Sequence, residues 1–321
     1  MKPSEKGTAL LSVLLLVAVM AAVAATALDR LGLATRLAGN AATAAQARHW
    51  LGMAEELAMV RLEQEVESAA LASQLDVERS ITLPDGMIVR ATLSDASNCF
   101  NLNSLARERR GGRLTSDPRA IGQLRDLMVL LGVDRSTAER IAEASADYID
   151  SDERANLRGA EAGREPGDLG AATFPNRPMV AVSEWSRIDG VDKQIYAAVS
   201  PWLCAHPDTR LSALNVETLR PDQAVLLAML DPEKIGIEAA RSHLAGRPRG
   251  GYGSIYKFWN EGPLRGLDIA RQASEQVQVE SRYFRLESSV DAEGPAVRQT
   301  ALIEVEDGKA RRVARRWGTE L

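Results

Sequence analysis

The chain has 321 residues, of which 45% are hydrophobic and 26% are charged, and these fractions are ordinary for a folded protein. Its formal net charge is −5 at pH 7, so the sequence gives no global basic field that would attract a nucleic acid. The length suits one large domain or two domains of medium size.

The first thirty residues consist of a short polar leader and an uncharged apolar run. The leader carries Lys2 and Lys6 against Glu5 and ends at Gly7, and the run covers residues 8–28. About 20 apolar residues at roughly 1.5 Å per residue span a hydrocarbon core, whereas the apolar core of a secretory signal peptide is shorter. The pattern predicts a retained transmembrane helix with a cytoplasmic start, because the leader is positively biased.

This N-terminus resembles that of type IV pilin-like proteins, in which the leader is cut after its last glycine. Cleavage after Gly7 leaves Thr8 as the first mature residue, and the fifth mature position, usually glutamate in that class, is Ser12 here. A glutamate in lipid is costly unless it is paired, so a chain without it needs no such partner. The alternative is an ordinary signal anchor in which Lys6 and Gly7 adjoin by chance.

The next segments follow in chain order as a helix, a hairpin, a helical block and final strands. Helical periodicity continues from the anchor to about residue 75. Residues 77–94 alternate in polarity around an Asp-Gly turn, which predicts a β-hairpin. Strand patterns return after residue 275, so the sequence predicts an α+β fold. A long N-terminal helix packs on an antiparallel sheet, and a large α-helical domain is inserted into that sheet.

The predicted boundaries follow from these patterns. They are 1–7 for the leader, 8–28 for the transmembrane helix with its continuation to about 75, 76–100 for the first strands, 101–272 for the inserted domain and 273–321 for the remaining strands. The helices expected in the insertion are 117–133, 135–150, 182–203, 220–230 and 234–246, and the later strands are 276–280, 283–290, 298–305 and 311–317.

The two cysteines, Cys99 and Cys204, form an even pair in a chain whose bulk is expected in an oxidising compartment. Such a pair favours one disulfide. It would close a loop of about 105 residues and contribute roughly 4–5 kcal/mol in the chain-entropy treatment. The alternative is two unrelated buried thiols. With no CxxC motif and only three histidines, the sequence does not predict a structural zinc site.

A helix, a glycine turn and a second helix are predicted around Ser183-Glu184-Trp185 and Gly190, and a weaker echo covers residues 213–240. This resembles a helix-hairpin-helix or SAM-like unit, and such turns can bind DNA phosphates through backbone N–H groups. Asp189 and Asp192 flank the turn, with only Lys193 to balance them. A packing scaffold is therefore favoured, and the alternative function is a membrane-anchored DNA-uptake protein.

An acidic segment follows the second predicted helix of the insertion. Asp150 and Asp152 are two residues apart, and a glycine turn leads to Glu161. Carboxylates in this pattern suit a hard cation that takes six to eight oxygen ligands, although the spacing is not that of an EF-hand. The alternative is a solvated acidic helix C-terminus, a position where negative charge is unfavourable to the helix dipole.

Motifs along nearly the whole chain carry a family resemblance. They are Lys6-Gly7, Ser12, Phe100–Asn103, Tyr148–Asp152, Gly159–Glu161, Asn176–Pro178, Ser183–Trp185, Leu214–Thr218 and Ser281–Arg285. In this order they resemble the minor pseudopilin K family of the type II secretion system. The resemblance implies a type IV pilin-like fold with an inserted helical domain and no enzymatic activity. It also implies a place at the tip of a periplasmic pseudopilus, where the protein initiates assembly and supports export across the outer membrane.

The same resemblance implies partners and a location. The partners are minor pseudopilins I and J, through them pseudopilin H and the major pseudopilin G, the inner-membrane assembly platform, and a prepilin peptidase whose product is methylated. Contact with secreted proteins and with the outer-membrane secretin is left open, and no nucleic acid is expected. The location is the inner membrane, with a single pass and the C-terminal domain in the periplasm.

Calcium is the cofactor that the resemblance implies, because some family members bind two calcium ions in the helical domain. One or two ions are therefore expected here, with Asp150, Asp152 and Glu161 as the best candidate ligands. The sequence departs from the family pattern just after Glu161, where further acids and tyrosines are common. Only Glu165 or Asp168 remains to supplement the first ion.

Overall fold

The structure is a computed structural model that describes residues 3–65, 69–83, 86–151, 176–269, 271–291 and 296–318. The helices are α1 (Pro3–Glu65), α2 (Ala69–Ala72), α3 (Pro118–Leu130), α4 (Arg135–Ile149), α5 (Lys193–Val199), α6 (Ala224–Ala228), α7 (Ile237–Ala245), α8 (Ile255–Asn260) and α9 (Arg271–Ser274). The strands are β1 (Arg79–Thr82), β2 (Ile88–Asp95), β3 (Phe100–Asn101), β4 (Ala106–Glu108), β5 (Leu114–Ser116), β6 (Leu203–Cys204), β7 (Leu214–Asn215), β8 (Val277–Gln278), β9 (Tyr283–Asp291), β10 (Val297–Glu306) and β11 (Lys309–Trp317).

The main sheet has five antiparallel strands in the order β1–β2–β9–β10–β11. The alternating segments that predict a hairpin form β1 and β2, and Ile81 lies opposite Val89. β2 pairs directly with β9, where Leu93 lies opposite Leu286. The sheet is therefore built from two distant parts of the chain.

Residues 96–282 lie between the neighbouring strands β2 and β9, so the insertion is longer at both ends than the expected 101–272. The strand pattern at 276–280 explains the difference at the second end. Its residues Val277 and Gln278 form β8, which pairs in parallel with β7 inside the insertion and not with the main sheet. Alternating polarity identified an extended segment correctly but could not identify its partner strand.

The second half of α1 packs on one face of the main sheet. Leu51 contacts Val89 and Val290 in one buried cluster, and Leu62 contacts Phe284 and Ile303 in another. On the strands these residues belong to alternating positions, which place their side chains on the same face. α1 is therefore fixed to the sheet only from about Ala47 onward, the first of its described side chains that is buried.

A charged group fixes the same helix at the centre of the interface. The side chain of Glu55 is 0% exposed. Its carboxylate accepts hydrogen bonds from Arg312 (Nη1 to Oε1, 2.7 Å), from Arg315 (Nε to Oε2, 2.9 Å) and from Gln299. Burial raises the pKa of Glu55, but the hydrogen bonds and charges of the two arginines outweigh it and hold the pKa below its ordinary value. Glu55 is therefore ionised inside the interface.

The insertion has its own hydrophobic core, which α3 and α4 begin. Pro118 starts α3 after an Asp117 cap, and Asp134 caps α4 in the same way. Trp185 is fully buried among these elements, and its indole N–H donates to Oγ of Ser145 at 3.0 Å. The two helices lie close to the predicted 117–133 and 135–150.

The segment 182–203, predicted to be helical with a glycine turn around Gly190, is divided at that turn. Val182–Arg187 form a 3₁₀ turn, and α5 follows only at Lys193. Gly190 lies between them with φ +88°, a left-handed conformation that favours glycine, and a Cβ there would lie 3.1 Å from Cγ1 of Ile141. The glycine therefore interrupts the helix and allows close packing on α4.

Candidate functional site

The first half of α1 exposes apolar side chains over a long distance. From Leu10 to Leu37 its large hydrophobic side chains are 55% to 69% exposed. Among the described residues this is the one helix that is long and apolar enough to cross a membrane; its most apolar 18 residues have a mean hydropathy of 2.6. A surface of this size and composition requires cover by lipid or by other apolar helices.

The exposed part of α1 is longer than a bilayer needs. Residues 8–28 account for roughly 30 Å of helix, and residues 29–46 add about 27 Å before the sheet begins to bury the helix. This second stretch carries Asp29, Arg30 and Arg36, all exposed. If residues 8–28 span a membrane, this second stretch is a helical stalk between the membrane and the folded domain, and it is available for contact with other helices.

The residues predicted to control processing and assembly lie at the start of this surface. α1 runs through Gly7, Thr8 and Ser12 as continuous helix, and Ser12 is exposed. Cleavage after Gly7 and methylation of Thr8 stay predictions, since no part of the structure bears on them.

The junction between the sheet and the insertion is organised around Asp95, the last residue of β2. Its carboxylate accepts hydrogen bonds from Ser281 and Thr218, and Oδ1 accepts from the Ser97 N–H at 2.7 Å. Burial raises the pKa of Asp95 above its ordinary value in spite of these bonds. Asn98 extends the network, because its Oδ1 accepts from the Asn215 N–H at 2.8 Å. This hydrogen-bonded cluster thus fixes both connections between the sheet and the insertion, the one after β2 and the one before β9.

Cys99 and Cys204 are joined by a disulfide beside this network. The bond closes next to the parallel pair β3–β6, where Asn101 lies opposite Cys204. His206 packs against both sulfur atoms at 3.9 Å and lies with its ring centroid 4.0 Å from that of Tyr283. Burial lowers the pKa of His206 to about 4, against a weaker opposing effect of the Asp208 charge. The imidazole is therefore neutral near pH 7.

The predicted calcium ligands are only partly described. Asp150 caps the C-terminus of α4, is 2% exposed, and accepts a hydrogen bond from Oγ of Ser116. Asp152, Glu161 and Asp168 lie outside the described residues. A buried carboxylate at the start of the segment that holds the other candidates fits a hard, oxygen-preferring cation.

The turn that resembles a helix-hairpin-helix has its backbone donors occupied. Asp192 caps α5, and its Oδ1 accepts from the N–H groups of Gln194 and Ile195, both at 2.8 Å. These are N–H groups of the kind that would hold a DNA phosphate. A phosphate would have to displace a carboxylate there, so the geometry favours a packing role for this turn.

Three structurally important residues were not identified from the sequence. Glu55 lies in a charged part of α1 that has the pattern of a solvated helix face, and nothing local distinguishes it from Glu56. Asp95 ends an ordinary strand. His206, by contrast, could have been found, because it lies two residues after Cys204.

The structure defines an α+β protein with a candidate membrane anchor. It consists of a long apolar N-terminal helix, an antiparallel sheet, and a helical insertion between the neighbouring strands β2 and β9. Two family models match this chain, both described as type II secretion system (T2SS), protein K; one covers residues 98–208 and the other 214–280. Together they cover most of the insertion.

Full-length relatives agree with this assignment. Type II secretion system protein K of Klebsiella pneumoniae is 30% identical over 327 aligned residues, covering 99% of this chain and 98% of the relative. The protein of the same name from Pseudomonas aeruginosa is 28% identical and covers 99% and 94%. The crystal structure of the GspK–GspI–GspJ complex from enterotoxigenic Escherichia coli contains a chain that is similar with a TM-score of 0.68 and 27% identity, covering 86% of this chain and 96% of that one. The chain therefore belongs to the type II secretion system protein K family.

Proposed function

We propose that this protein is a minor pseudopilin at the tip of the type II secretion pseudopilus, a non-enzymatic subunit that initiates assembly and supports export of folded proteins from the periplasm. The observation that carries the proposal is the exposed apolar half of α1 joined to a sheet with a large insertion. The helix supplies the element that a filament packs, and the insertion enlarges the opposite end. The fold is accordingly interpreted as pilin-like.

The tip position is supported by two features of the chain. Ser12 has no carboxylate, so it makes no ion pair with the α-amino group of a subunit docked ahead of it. The described residues between 96 and 282 form a bulky domain on the sheet, which would obstruct a further subunit at that end. Both features remove the requirement for a neighbour above while leaving the sides of α1 free to pack.

The proposed location and partners follow from this position. The anchor spans the inner membrane once, and the remaining chain lies in the periplasm after a prepilin peptidase has cut at Gly7. The similar structure from Escherichia coli contains GspI and GspJ, and we assign the corresponding minor pseudopilins as direct partners. Pseudopilin H and the major pseudopilin G are reached through them, and the inner-membrane assembly platform is a further partner.

Labelling of assembled pseudopili tests the tip position. A small epitope placed at Tyr256, which is 76% exposed on the insertion, should be detected by electron microscopy at filament ends and not along their length. The same epitope on the major pseudopilin is the matched control and should label the whole filament. Label along the length from the Tyr256 position would contradict a tip role.

We also propose a calcium site in the insertion, formed by Asp150 with Asp152, Glu161 and, as a supplement, Asp168. Carboxylate oxygens from a helix end and the following segment form the donor set that Ca²⁺ prefers. When bound, the ion would hold that segment against the C-terminus of α4. It would also neutralise the charge that is unfavourable there.

Removal of the ion by a chelator tests this site. Ca²⁺ should raise the thermal unfolding temperature of the full chain in detergent, and EGTA should reverse the increase. Asp150→Asn should abolish most of the response, whereas Asp189→Asn, an exposed acid in the Gly190 turn, should leave it unchanged. A response that survives Asp150→Asn would place the ion elsewhere.

A further inference from the structure

Three metal-binding side chains meet at the junction between the sheet and the insertion. Sγ of Cys99 lies 3.9 Å from Nε2 of His206, and Sγ of Cys204 lies 3.9 Å from Nδ1 of the same ring. The three residues are 8%, 8% and 6% exposed, and their ligand atoms all lie within 4.8 Å of one another. About a hundred residues separate Cys99 from the other two, so the fold assembles this cluster.

We propose that the chain with reduced cysteines binds Zn²⁺ through Cys99, Cys204 and one ring nitrogen of His206, and that the zinc-bound and disulfide-bonded forms are mutually exclusive states of one site. Two thiolates and an imidazole are ligands that Zn²⁺ prefers, and a water molecule can complete a tetrahedron. The disulfide removes both thiolates and closes the site.

Contacts that do not involve either sulfur atom position His206. Its backbone N–H donates to Oδ1 of Asn101 at 3.0 Å, and its backbone carbonyl accepts from Nδ2 of Asn103 at 2.7 Å. Tyr283 lies against the ring. The proposal requires that these contacts keep the ring beside the two cysteines when the S–S bond is open.

The cluster also borders a cavity. A cavity of about 620 Å³ is lined by Cys99, His206 and Asp208. It gives an ion a route to the cluster and has room for the water ligand.

The two states interconvert by a balanced reaction. When Zn²⁺ binds, the two thiols release two protons to solvent and become thiolates. When an external disulfide oxidant acts, the two thiolates lose two electrons and form the S–S bond, the ion leaves as Zn²⁺, and the oxidant takes up two electrons and two protons as two thiols. Zinc would therefore hold β3 and β6 together before oxidation and protect the thiols until it occurs.

Cobalt binding to the full chain in detergent micelles tests the proposal, because Co²⁺ reports thiolate ligands through a near-ultraviolet charge-transfer band. The reduced, anaerobic chain should develop this band, and excess Zn²⁺ should remove it. The oxidised chain should not develop it. A reduced chain without the band, or an oxidised chain with the same band, would overturn the proposal.

Variants then identify the ligands. His206→Gln should weaken Co²⁺ binding by roughly tenfold or more. His243→Gln is the matched control, since His243 is equally buried but packs on Tyr252 and Phe258. Cys99→Ser should abolish the band. Equal affinity of His206→Gln and the unmodified chain would overturn the assignment of the histidine.

A measurement on the unmodified chain covers the case in which a variant fails to fold. Zn²⁺ should slow alkylation of both thiols in the reduced chain, and EDTA should restore the rate. If Zn²⁺ leaves both alkylation rates unchanged, the proposed site does not exist in the reduced protein, whatever the variants do.

Discussion

At the scale of single residues, the insertion and the sheet are joined by buried or half-buried polar groups. Arg282 donates to Oε1 of Glu304 at 2.6 Å and pairs with Glu306 at 2.8 Å, and the Tyr283 hydroxyl donates to Oδ2 of Asp208 at 2.7 Å. Glu304 is 1% exposed, and its pKa is held below the ordinary value because the arginine and tyrosine contacts outweigh its burial. The joint therefore depends on side chains that are ionised in the folded state.

His206 gives this joint a dependence on pH. The unfolded chain protonates this imidazole below about pH 6.5, whereas the folded chain keeps it neutral down to about pH 4. The unfolded state thus binds more protons in that window, and the stability contribution, fully present above pH 6.5, falls by about 3 kcal/mol as the pH drops through it.

Urea unfolding of the full chain at pH 7 and near pH 4 measures this effect. His206→Gln should flatten the pH dependence relative to the unmodified chain, and the difference between the two variants isolates this residue from the carboxylates of the joint, such as Glu304. His49→Gln, at an exposed position on α1, serves as the control. Parallel pH curves for His206→Gln and the unmodified chain would contradict the assignment.

Ser12 is a second residue with a testable role. We expect Ser12→Glu to be tolerated in secretion, because a subunit at the proposed tip position has no neighbour ahead whose α-amino group must pair with that carboxylate. The cost of the extra charge in lipid should reduce membrane insertion only modestly, by about 2–3 kcal/mol on insertion scales. Measured export of a secreted protein decides the point, with Ser12→Ala as control. Complete loss of secretion in Ser12→Glu, with Ser12→Ala unaffected, would show that a carboxylate is excluded there and that the position is not merely released from constraint.

At the scale of elements, the charge of Glu55 is central to how α1 binds the sheet. Glu55→Gln preserves the size of the side chain but leaves Arg312 and Arg315 without their shared carboxylate. We expect a loss of about 2–3 kcal/mol in the free energy of unfolding, since both arginines are partly exposed and can be rehydrated. Glu56→Gln, one residue along and exposed, should change stability by only about 0.5 kcal/mol. If both variants lost a similar amount of unfolding free energy, the buried charge of Glu55 would contribute nothing specific to the stability of the interface.

Hydrophobic periodicity predicted most helices and strands, but it did not predict which distant residues they contact. α3 and α4 were predicted nearly to their ends, because each combines an aspartate cap with an apolar face. The glycine turn within 182–203 was predicted, but the helix expected before it is only the 3₁₀ turn Val182–Arg187. Gly190 also approaches Ile141 closely, more than forty residues away along the chain, and local sequence carries no record of such a neighbour. For the same reason the partner of β8 could not be predicted.

At the scale of the whole molecule, the insertion was predictable and its functional detail was not. A hairpin before the helical block and strands after it predict one sheet whose strands pair across the block. The pairing of β2 with β9 joins the two parts. The disulfide was predictable because the chain has only two cysteines. His206, which packs against both sulfur atoms, was not considered. Asp150 was predicted as a cation ligand from its residue type, and this stays a prediction; its co-ligands Asp152, Glu161 and Asp168 lie outside the described residues.

The architecture separates the folded domain from the exposed apolar part of α1, and Asn40 lies between them. It is exposed and precedes Ala47, where burial of α1 begins. Asn40→Pro removes one helical hydrogen bond and crowds the carbonyl of Arg36, which costs about 3 kcal/mol locally and kinks the stalk. Urea unfolding of the domain should therefore be unchanged, whereas secretion and recovery of the complex with pseudopilins I and J should fall sharply. Asn40→Ala keeps the helix straight and should retain both. If Asn40→Pro secreted normally, the direction in which α1 leaves the sheet would be irrelevant to assembly, and the exposed helix would serve as a membrane anchor alone.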